Sequence, residues 1–319
     1  MTYQTIDSNA RQPERPVAGR PGSKASFDEI YDAPNPGPYF SVLRPLDYRI
    51  PHFAQPLIRR LVSERRQLFG RERITVLDLC TGYGVNGALL KHDLSLDDLY
   101  RHYTTGMART PDTDRATFAS RRRSEAGLRM IGQDVAGRAL AYARAAGFLD
   151  ATLHANLERD DLTAAQADLI ADTDLVTITG GLSYIGEATL SRVVGALRRP
   201  PWVLYFPLRG TDTDRVNTAL HKAGLRSERW HQPLPQRRFS TEQERRGVLE
   251  TVGRSKDGLG AASSTHQEAV LHLARPDDES RAMPMSALAA GLRAPLSRPV
   301  DVGTDRTQKP EICVGGAMT

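Results

Sequence analysis

The sequence predicts an α/β protein with a mostly parallel sheet and helices on both of its faces. Short apolar, β-branched runs alternate with segments of helix length along the middle of the chain. The first run, ITVLDLC from Ile74 to Cys80, leads into glycines at positions 82, 84 and 87 and then a helix. Connections of this kind are right-handed crossovers, which place successive strands parallel in one sheet.

Further strands and helices follow the same alternation. The helices that include Val135–Ala146 and Asp212–Ala223 are each followed by a glycine, a residue common after a helix end. The final strand has no clear helix before it, so we expect a closing hairpin that runs antiparallel to the other strands. Further strands are predicted at 128–131, 151–155, 174–179, 202–208 and 268–274, and further helices at 86–91 and 187–197.

Composition divides the chain into four parts. Residues 1–24 are polar, lack periodicity and are predicted to be a disordered tail. Residues 25–70, rich in Tyr and Pro, are predicted to form a helical cap. The sheet domain is expected over 71–276, with an insertion at 93–127 in which the Arg- and Thr-rich stretch after Tyr100 is predicted to be mobile. Residues 277–319 are predicted to be a largely disordered tail.

Charge and cysteine content limit the classes of function. The 319 residues include 43 basic and 38 acidic ones, a net charge of +5 without a basic stripe, so no nucleic-acid partner is expected. No apolar run reaches the ~20 residues of a membrane span. Two cysteines, Cys80 and Cys313, do not make a disulfide framework, and no metal-ligand spacing is present. We expect a cytoplasmic protein without a bound metal; the sequence leaves the oligomeric state open.

The strongest motif is VLDLCTGYGVNG, from Val76 to Gly87. Its glycine spacing also fits the dinucleotide-binding fingerprint. An acidic residue inside the strand, Asp78, is instead typical of class I S-adenosylmethionine-dependent methyltransferases, and the segment resembles that superfamily. Its usual pattern is two hydrophobic residues, Asp or Glu, a hydrophobic residue and Gly-x-Gly-x-Gly. Cys80 and Thr81 stand where a first glycine is often found.

The resemblance implies a Rossmann-like, seven-stranded, doubly wound sheet under an N-terminal helical cap, with S-adenosylmethionine as the cofactor. Asp134, after the second strand, would accept hydrogen bonds from both ribose hydroxyls; alternatively it caps the following helix. Asn156 would read the adenine edge; alternatively it makes its own turn. The predicted cofactor-binding residues are Asp78, Thr81, Gly82, Gly84, Asp134, Asn156, Thr179 and Gly180.

The reacting centre is expected beside the loop after the fourth strand, because ligands of open α/β sheets lie at the carboxyl ends of strands. Ser183 and Tyr184 supply hydroxyls there, and the Tyr184 ring could face a sulfonium. From the cap, Tyr31, with Tyr39 and Tyr48, could close over the cofactor, and His52 is a candidate base. Packing of these aromatic rings, and a structural role for the histidine, are the alternatives.

Two arginine-containing segments are candidate anion-binding sites. Arg44 or Arg49 could pair with the methionine carboxylate, since Arg favours bidentate contacts. The segment from Gln236 to Phe239 could hold an anionic substrate, although arginine runs are usually solvated.

We favour methyl transfer to a small-molecule acceptor of the secondary-metabolite type. An alternative within the same resemblance is attack on the aminocarboxypropyl carbon, with transfer or cyclisation and release of methylthioadenosine. A non-catalytic nucleotide-binding module and a nicotinamide dehydrogenase are alternatives of other classes. The second of these is disfavoured by Asp78, which is unusual within the first strand of the dinucleotide fingerprint. Asp134 lies about fifty residues after the glycines rather than the ~20 of a dinucleotide site, and we attribute the excess to the 93–127 insertion.

Overall fold

The computed structural model describes residues 28–31, 33–106, 109–123, 127–255 and 257–290. Seven strands form one sheet in the order β3-β2-β1-β4-β5-β9-β6, in which β9 runs antiparallel to the other six. The predicted fold class and the antiparallel closing strand are therefore confirmed. These strands are β1 Ile74–Leu79, β2 Leu128–Asp134, β3 Ala151–His154, β4 Leu175–Ile178, β5 Trp202–Tyr205, β6 Leu225–Arg229 and β9 His272–Pro276; β7 Leu234–Arg238 and β8 His266–Ala269 form a separate pair.

Helices cover both faces of the large sheet. Alternate residues of β1 explain this: Ile74 and Val76 join one apolar core, and Leu77 and Leu79 join the other. The helices are α1 Asp28–Tyr31, α2 Gly37–Leu43, α3 Ile50–Phe69, α4 Val85–Lys91, α5 Leu96–Tyr103, α6 Pro111–Ala119, α7 Gly137–Ala145, α8 Ala164–Ile170, α9 Glu187–Gly195, α10 Asp214–Lys222, α11 Glu242–Ser255, α12 Asp277–Ala282 and α13 Met285–Leu288. The N-terminal cap, α4 and α7 contribute to the first core; α8, α9 and α10 contribute to the second.

The insertion between α4 and β2 is more ordered than predicted. It contains α5 and α6, each begun by a capping box. The buried carboxylate of Asp114 accepts hydrogen bonds from the Tyr103 hydroxyl and, at 2.5 Å, from the Tyr142 hydroxyl, and it contacts His102 Nε2 at 2.7 Å. These contacts join the described part of the insertion to α7, so the expectation of mobility is wrong for that part.

The predicted strand at 268–274 is two strands in different sheets. Ala269 pairs with Leu234 in the small sheet, whereas His272 pairs with Tyr205 in the large one. Every residue from Ala269 to Arg275 is buried, so burial does not change where the chain passes from one sheet to the other. Periodicity alone therefore does not show where the chain changes partner.

The expected C-terminal tail also begins later than predicted. Residues 277–290 include α12 and α13, and Met285 and Leu288 are buried in the core that contains the cap. The Glu279 carboxylate accepts hydrogen bonds from Arg65 and from the Trp202 indole. Helices this short depend on such tertiary contacts, which local sequence does not reveal. Residues 1–27 and 291–319, including Cys313, lie outside the described residues.

None of the helices in the described ranges is long and apolar enough to cross a bilayer.

Candidate functional site

The topology places a crevice between β1 and β4. Strand order runs outward from β1 to β2 and β3 on one side and from β4 to β5 on the other. At such a switch point the following loops diverge to opposite faces, and ligands bind outside the carboxyl ends of the strands. The loops that follow β1 and β4 contain the predicted residues Thr81, Gly82, Thr179, Gly180 and Tyr184.

Asp78 lies at the base of this crevice and is almost fully buried. Its carboxylate accepts hydrogen bonds from Thr81 Oγ1 at 2.7 Å, Asn86 Nδ2 at 2.9 Å and Thr177 Oγ1 at 2.6 Å. Burial raises the pKa of Asp78, and these three hydrogen bonds oppose that rise. The carboxylate thus joins β1, the glycine turn, α4 and β4, and the Thr81 hydroxyl is directed towards Asp78.

Asn86 extends this network to the second loop, a role that the sequence reasoning missed. Its side-chain nitrogen also donates to Thr179 Oγ1 at 2.8 Å. Its Oδ1 is buried and has no hydrogen-bond partner among the described residues. A polar residue on the buried first turn of α4 is the sequence signal that could have identified it. An acceptor without a donor is thus present between the two loops.

Cys80 occupies the position at which the resembling pattern often has glycine. Its φ is 54°, in the left-handed region that costs a residue with a Cβ roughly 1–2 kcal/mol. Gly181, in the opposite loop, allows this arrangement: a Cβ there would lie 2.5 Å from the Cys80 Cβ. The sequence departs from the pattern here while the backbone keeps a glycine-like conformation.

The two glycines of the turn differ in their surroundings. At Gly84, the left-handed N-cap of α4, an added Cβ would lie 2.9 Å from the Ala143 Cβ on α7. At Gly82, with φ 53°, it would lie 2.7 Å from the Tyr31 ring. The lack of a side chain at Gly84 therefore leaves room for α7, and the lack of one at Gly82 leaves room for the Tyr31 ring. A ligand that contacts Gly82 on this side must displace the Tyr31 ring.

Asp134, at the end of β2, faces the glycine turn. Its Oδ2 accepts a hydrogen bond from the Gly82 amide at 2.8 Å, and its Oδ1 accepts one from the Ala136 amide at 2.9 Å. Helix α7 begins at Gly137, and its N-cap residue is Ala136. Asp134 is therefore not the N-cap residue, although it does bind the backbone just before the helix. Each carboxylate oxygen keeps further acceptor capacity.

Three tyrosines from separate segments meet over the crevice. The Tyr48 hydroxyl donates to the Thr179 carbonyl at 3.2 Å, and a Cβ on Gly180 would lie 2.6 Å from it. Burial raises the pKa of Tyr31 and of Tyr48, and Tyr184 contributes to both shifts. Ser183 and Tyr184 are exposed on the β4 loop. Tyr39 is buried; its ring packs edge-on against Phe40 within the cap and also contacts the rings of Tyr31 and of Tyr83 in the glycine turn.

Other predicted residues lie apart from this group. Among the described residues, His52 interacts with Arg49, Asp97 and the Phe53 ring, and burial lowers its pKa. Asn156 Oδ1 accepts a hydrogen bond from the Glu158 amide, which is the local turn considered as the alternative.

The arginines proposed as anion ligands have partners within the protein. Arg49 forms ion pairs with Asp47 and Asp97, and Arg44 is exposed and donates to Thr104 Oγ1. Arg237 is buried and pairs with Glu244 at 2.5 Å. Within the 236–239 segment, the buried Arg237 is therefore paired with a carboxylate of the protein itself. No cluster of three His, Cys, Asp or Glu side chains able to hold a metal occurs within the described ranges.

No protein-family model matches this chain, and no curated protein matches it. Solved structures are similar to it at low identity. A TehB-like methyltransferase from Corynebacterium glutamicum is 13% identical, with a TM-score of 0.35 over 66% of this chain and 85% of that one. Magnesium protoporphyrin IX methyltransferase from Synechocystis PCC 6803 is 13% identical, with a TM-score of 0.35 over 70% and 80%.

A third similar structure is a precorrin-6y C5,15-methyltransferase from Geobacter metallireducens. It is 13% identical, with a TM-score of 0.33 over 64% of this chain and 80% of that one. Likenesses at these identities and TM-scores carry no functional weight. The function must therefore be inferred from the crevice of this chain.

Proposed function

We propose that this protein is an S-adenosylmethionine-dependent transferase that methylates a small molecule. One observation carries the proposal: the carboxylate of Asp134 lies against the glycine turn at the switch point of the sheet. A carboxylate there suits a pair of vicinal ribose hydroxyls, because its two oxygens can accept from both. The antiparallel β9 next to β5 also differs from the 3-2-1-4-5-6 sheet of dinucleotide enzymes, which disfavours a dehydrogenase.

The residues of the crevice fit the parts of this cofactor. Asp134 would hold the ribose. The unpartnered Oδ1 of Asn86 would accept a hydrogen bond from the α-ammonium group. Tyr31 and Tyr184, together with Tyr48, would exclude water and present aromatic faces to a cation. When bound, the cofactor supplies an electrophilic carbon on a sulfonium. The protein's contribution is to align the acceptor with that carbon in a dry site.

The raised pKa values of Tyr31 and Tyr48 keep both phenols protonated near neutral pH. They therefore act as hydrogen-bond donors or as aromatic walls rather than as bases. His52 lies apart from the crevice, so we do not include it in the mechanism. An acceptor whose nucleophile carries no removable proton, or whose proton passes to solvent, needs no base from the protein.

The test is to titrate the purified protein with S-adenosylmethionine by calorimetry and then to incubate the two with cell extract. We expect binding at about micromolar level, roughly −8 kcal/mol. Tight NAD binding without a response to S-adenosylmethionine would contradict the proposal. The co-product identifies the reacting carbon: S-adenosylhomocysteine marks methyl transfer, and methylthioadenosine marks attack on the aminocarboxypropyl carbon. Binding without turnover would favour a nucleotide-binding module.

A further inference from the structure

The β4 loop, residues 179–186, borders the crevice and ends where α9 begins. Its first residue, Thr179, accepts hydrogen bonds from the Asn86 side chain at 2.8 Å and from the Tyr48 hydroxyl at 3.2 Å. Its last residue, Gly186, is the N-cap of α9. The contacts at this second end therefore decide, together with those of Thr179, where the residues between them lie.

A glycine has no side chain with which to cap a helix, and α9 receives its cap from another loop. Glu158, in the loop after β3, accepts hydrogen bonds at Oε1 from the Gly186 amide at 2.6 Å, the Thr189 amide at 3.2 Å and the Thr189 hydroxyl at 2.6 Å. Thr189 is the third residue of the helix, whose amide an N-cap side chain commonly binds. Burial raises the pKa of Glu158, but these hydrogen bonds and the nearby Arg192 outweigh burial and lower the pKa overall. The carboxylate is therefore ionised at neutral pH, at the positive end of the helix dipole.

A second pair of contacts attaches the same β3 loop to α9. Arg192 donates to the Leu157 carbonyl at 2.7 Å and to the Asp161 carboxylate at 2.6 Å. The Asp161 side chain is 88% exposed, whereas Thr189, the partner of Glu158, is fully buried. Exposed ion pairs contribute little, and hydrogen bonds from buried donors to a charged group contribute more. Glu158 is therefore the stronger link between this loop and the helix.

Between its two anchors the β4 loop makes a turn that carries Tyr184 to the crevice. The Tyr184 amide donates to the Gly181 carbonyl at 2.8 Å. Its phenol lies near those of Tyr31 and Tyr48, since Tyr184 contributes to the raised pKa of each. Because Tyr184 is 49% exposed, packing holds its ring only in part, and the position of the ring depends on the backbone of the loop.

We infer that Glu158 is a positioning residue: by fixing Gly186 it holds the β4 loop in the conformation that presents Tyr184 to the crevice. The inference rests on the proposed function for what Tyr184 faces, namely the sulfonium of the bound cofactor. Glu158 acts through the loop and touches neither cofactor nor acceptor. Without its carboxylate the loop would keep the anchor at Thr179 and lose the one at Gly186, so Tyr184 would leave the crevice for part of the time.

Fluorine NMR of protein labelled with 3-fluorotyrosine tests this placement without any ligand. The chain has ten tyrosines, and the signal of Tyr184 is identified by its loss in Tyr184→Phe. We expect Glu158→Ala to move this signal towards its position in urea-unfolded protein. Tyr103, in the insertion, should keep its signal, which shows that the fold is intact. Glu158→Gln retains an acceptor oxygen and should leave the Tyr184 signal close to that of the unaltered protein. An unmoved Tyr184 signal in Glu158→Ala would overturn the inference.

Asp161 offers a matched control. It also belongs to the β3 loop and also contacts α9, but its bond is to Arg192, in the last turn of the helix, rather than to the N-terminus. Asp161→Ala should leave the Tyr184 signal in place. Equal movement in Asp161→Ala and Glu158→Ala would mean that general loosening of α9 displaces the ring, and Glu158 would lose its role. If Glu158→Ala fails to fold, Thr189→Val removes one of the three hydrogen bonds and should move the signal in the same direction; an unmoved signal there would overturn the inference.

Calorimetry with S-adenosylmethionine separates this inference from the proposed function. A loop that adopts the binding conformation less often raises the apparent dissociation constant in proportion. We expect Glu158→Ala to bind S-adenosylmethionine about fivefold more weakly, the factor for loss of a helix cap, and Asp161→Ala to bind it normally. Unchanged affinity in Glu158→Ala, despite a moved Tyr184 signal, would overturn the link between this placement and the cofactor.

The two measurements can fail independently. Unaltered protein that does not bind S-adenosylmethionine, but whose Tyr184 signal moves in Glu158→Ala, would keep the placement of the loop by Glu158 and remove the proposed reaction. Unaltered protein that binds S-adenosylmethionine, but whose Tyr184 signal ignores Glu158→Ala, would keep the proposed reaction and remove the role of Glu158.

Discussion

Replacing Gly84 with alanine should destabilise the protein without its ligand. The residue has φ 73°, and its new Cβ would lie 2.9 Å from the Ala143 Cβ, 3.3 Å from the Phe148 Cβ and 3.4 Å from the Leu149 Cγ. The left-handed conformation costs alanine roughly 1–2 kcal/mol. Crowding against α7 and the turn after it adds about 1–3 kcal/mol, as in other overpacked cores. We therefore expect a total loss of about 2–5 kcal/mol in the free energy of unfolding.

Gly224→Ala is the control for this substitution. Gly224 has nearly the same φ, 76°, but nothing lies within 4 Å of where its Cβ would be. Its replacement should cost only the conformational part, about 1–2 kcal/mol. Urea unfolding of both variants isolates the crowding. If the free energy of unfolding falls by about 3 kcal/mol per molar urea, the urea concentrations at which the two variants are half unfolded should differ by about 0.3–1 M.

Two results would refute this reasoning. Equal destabilisation by the two substitutions would mean that α7 does not crowd Gly84. Normal stability of Gly84→Ala with collapsed affinity for S-adenosylmethionine would mean that the glycine faces the ligand. We expect the folded fraction of the variant to bind the cofactor normally, because its new methyl group points into the protein.

Three further substitutions test neighbouring features. Gly82→Ala should cost less stability than Gly84→Ala, because the atom 2.7 Å away belongs to the Tyr31 side chain, which can turn; an equal loss by urea unfolding would contradict this. Asp134→Ala should weaken S-adenosylmethionine binding by about 1.5–3 kcal/mol in calorimetry; an unchanged dissociation constant would remove its ribose role. Burial lowers the pKa of His272 from 6.5 to about 4. The folded protein therefore binds this proton less readily than the unfolded chain, and the free energy of unfolding falls as the pH drops from 6.5 towards 4. The loss is about 3 kcal/mol at most. His272→Phe should reduce the loss of unfolding free energy between pH 7 and pH 5. If the variant lost as much unfolding free energy over this range as the unaltered protein, protonation of His272 would not be the cause.

Local sequence was sufficient to predict the strand, turn and helix around the glycines. The β-branched run, the glycines and Asn86 act within about a dozen residues, so β1 and α4 follow from periodicity and turn chemistry. Asp134 is predicted from the resemblance to the methyltransferase pattern, and the parallel β1 and β2 bring its carboxylate to the glycine turn at one edge of the sheet. The positions of these elements therefore follow from rules that need no tertiary detail.

Contacts between distant segments could not be predicted in this way. The Tyr31 ring over Gly82 joins residues that lie in different predicted units, and nothing local shows that Tyr31 lies over Gly82 whereas Tyr39 packs against other aromatic rings. The roles of Arg49 and Arg237 depend on acidic partners that only the folded chain supplies. The same holds for α13, whose burial against α3 stabilises a four-residue helix that is too short to be stable alone.

The buried network explains how the crevice is prepared for a ligand and which part of it must move. Asp78 accepts from Thr81, Asn86 and Thr177, and Asn86 uses its other amide hydrogen on Thr179. The Asp78 carboxylate and both amide hydrogens of Asn86 are bonded in this network, which holds the two loops at a fixed spacing before any ligand arrives. Asn86 Oδ1 is then fixed as an acceptor because both of its amide hydrogens are already used. The Tyr31 ring instead packs over Gly82 and against the rings of Tyr39 and Tyr83. Ligand entry on that side therefore requires a rotation of a cap side chain rather than a rearrangement of the sheet edge.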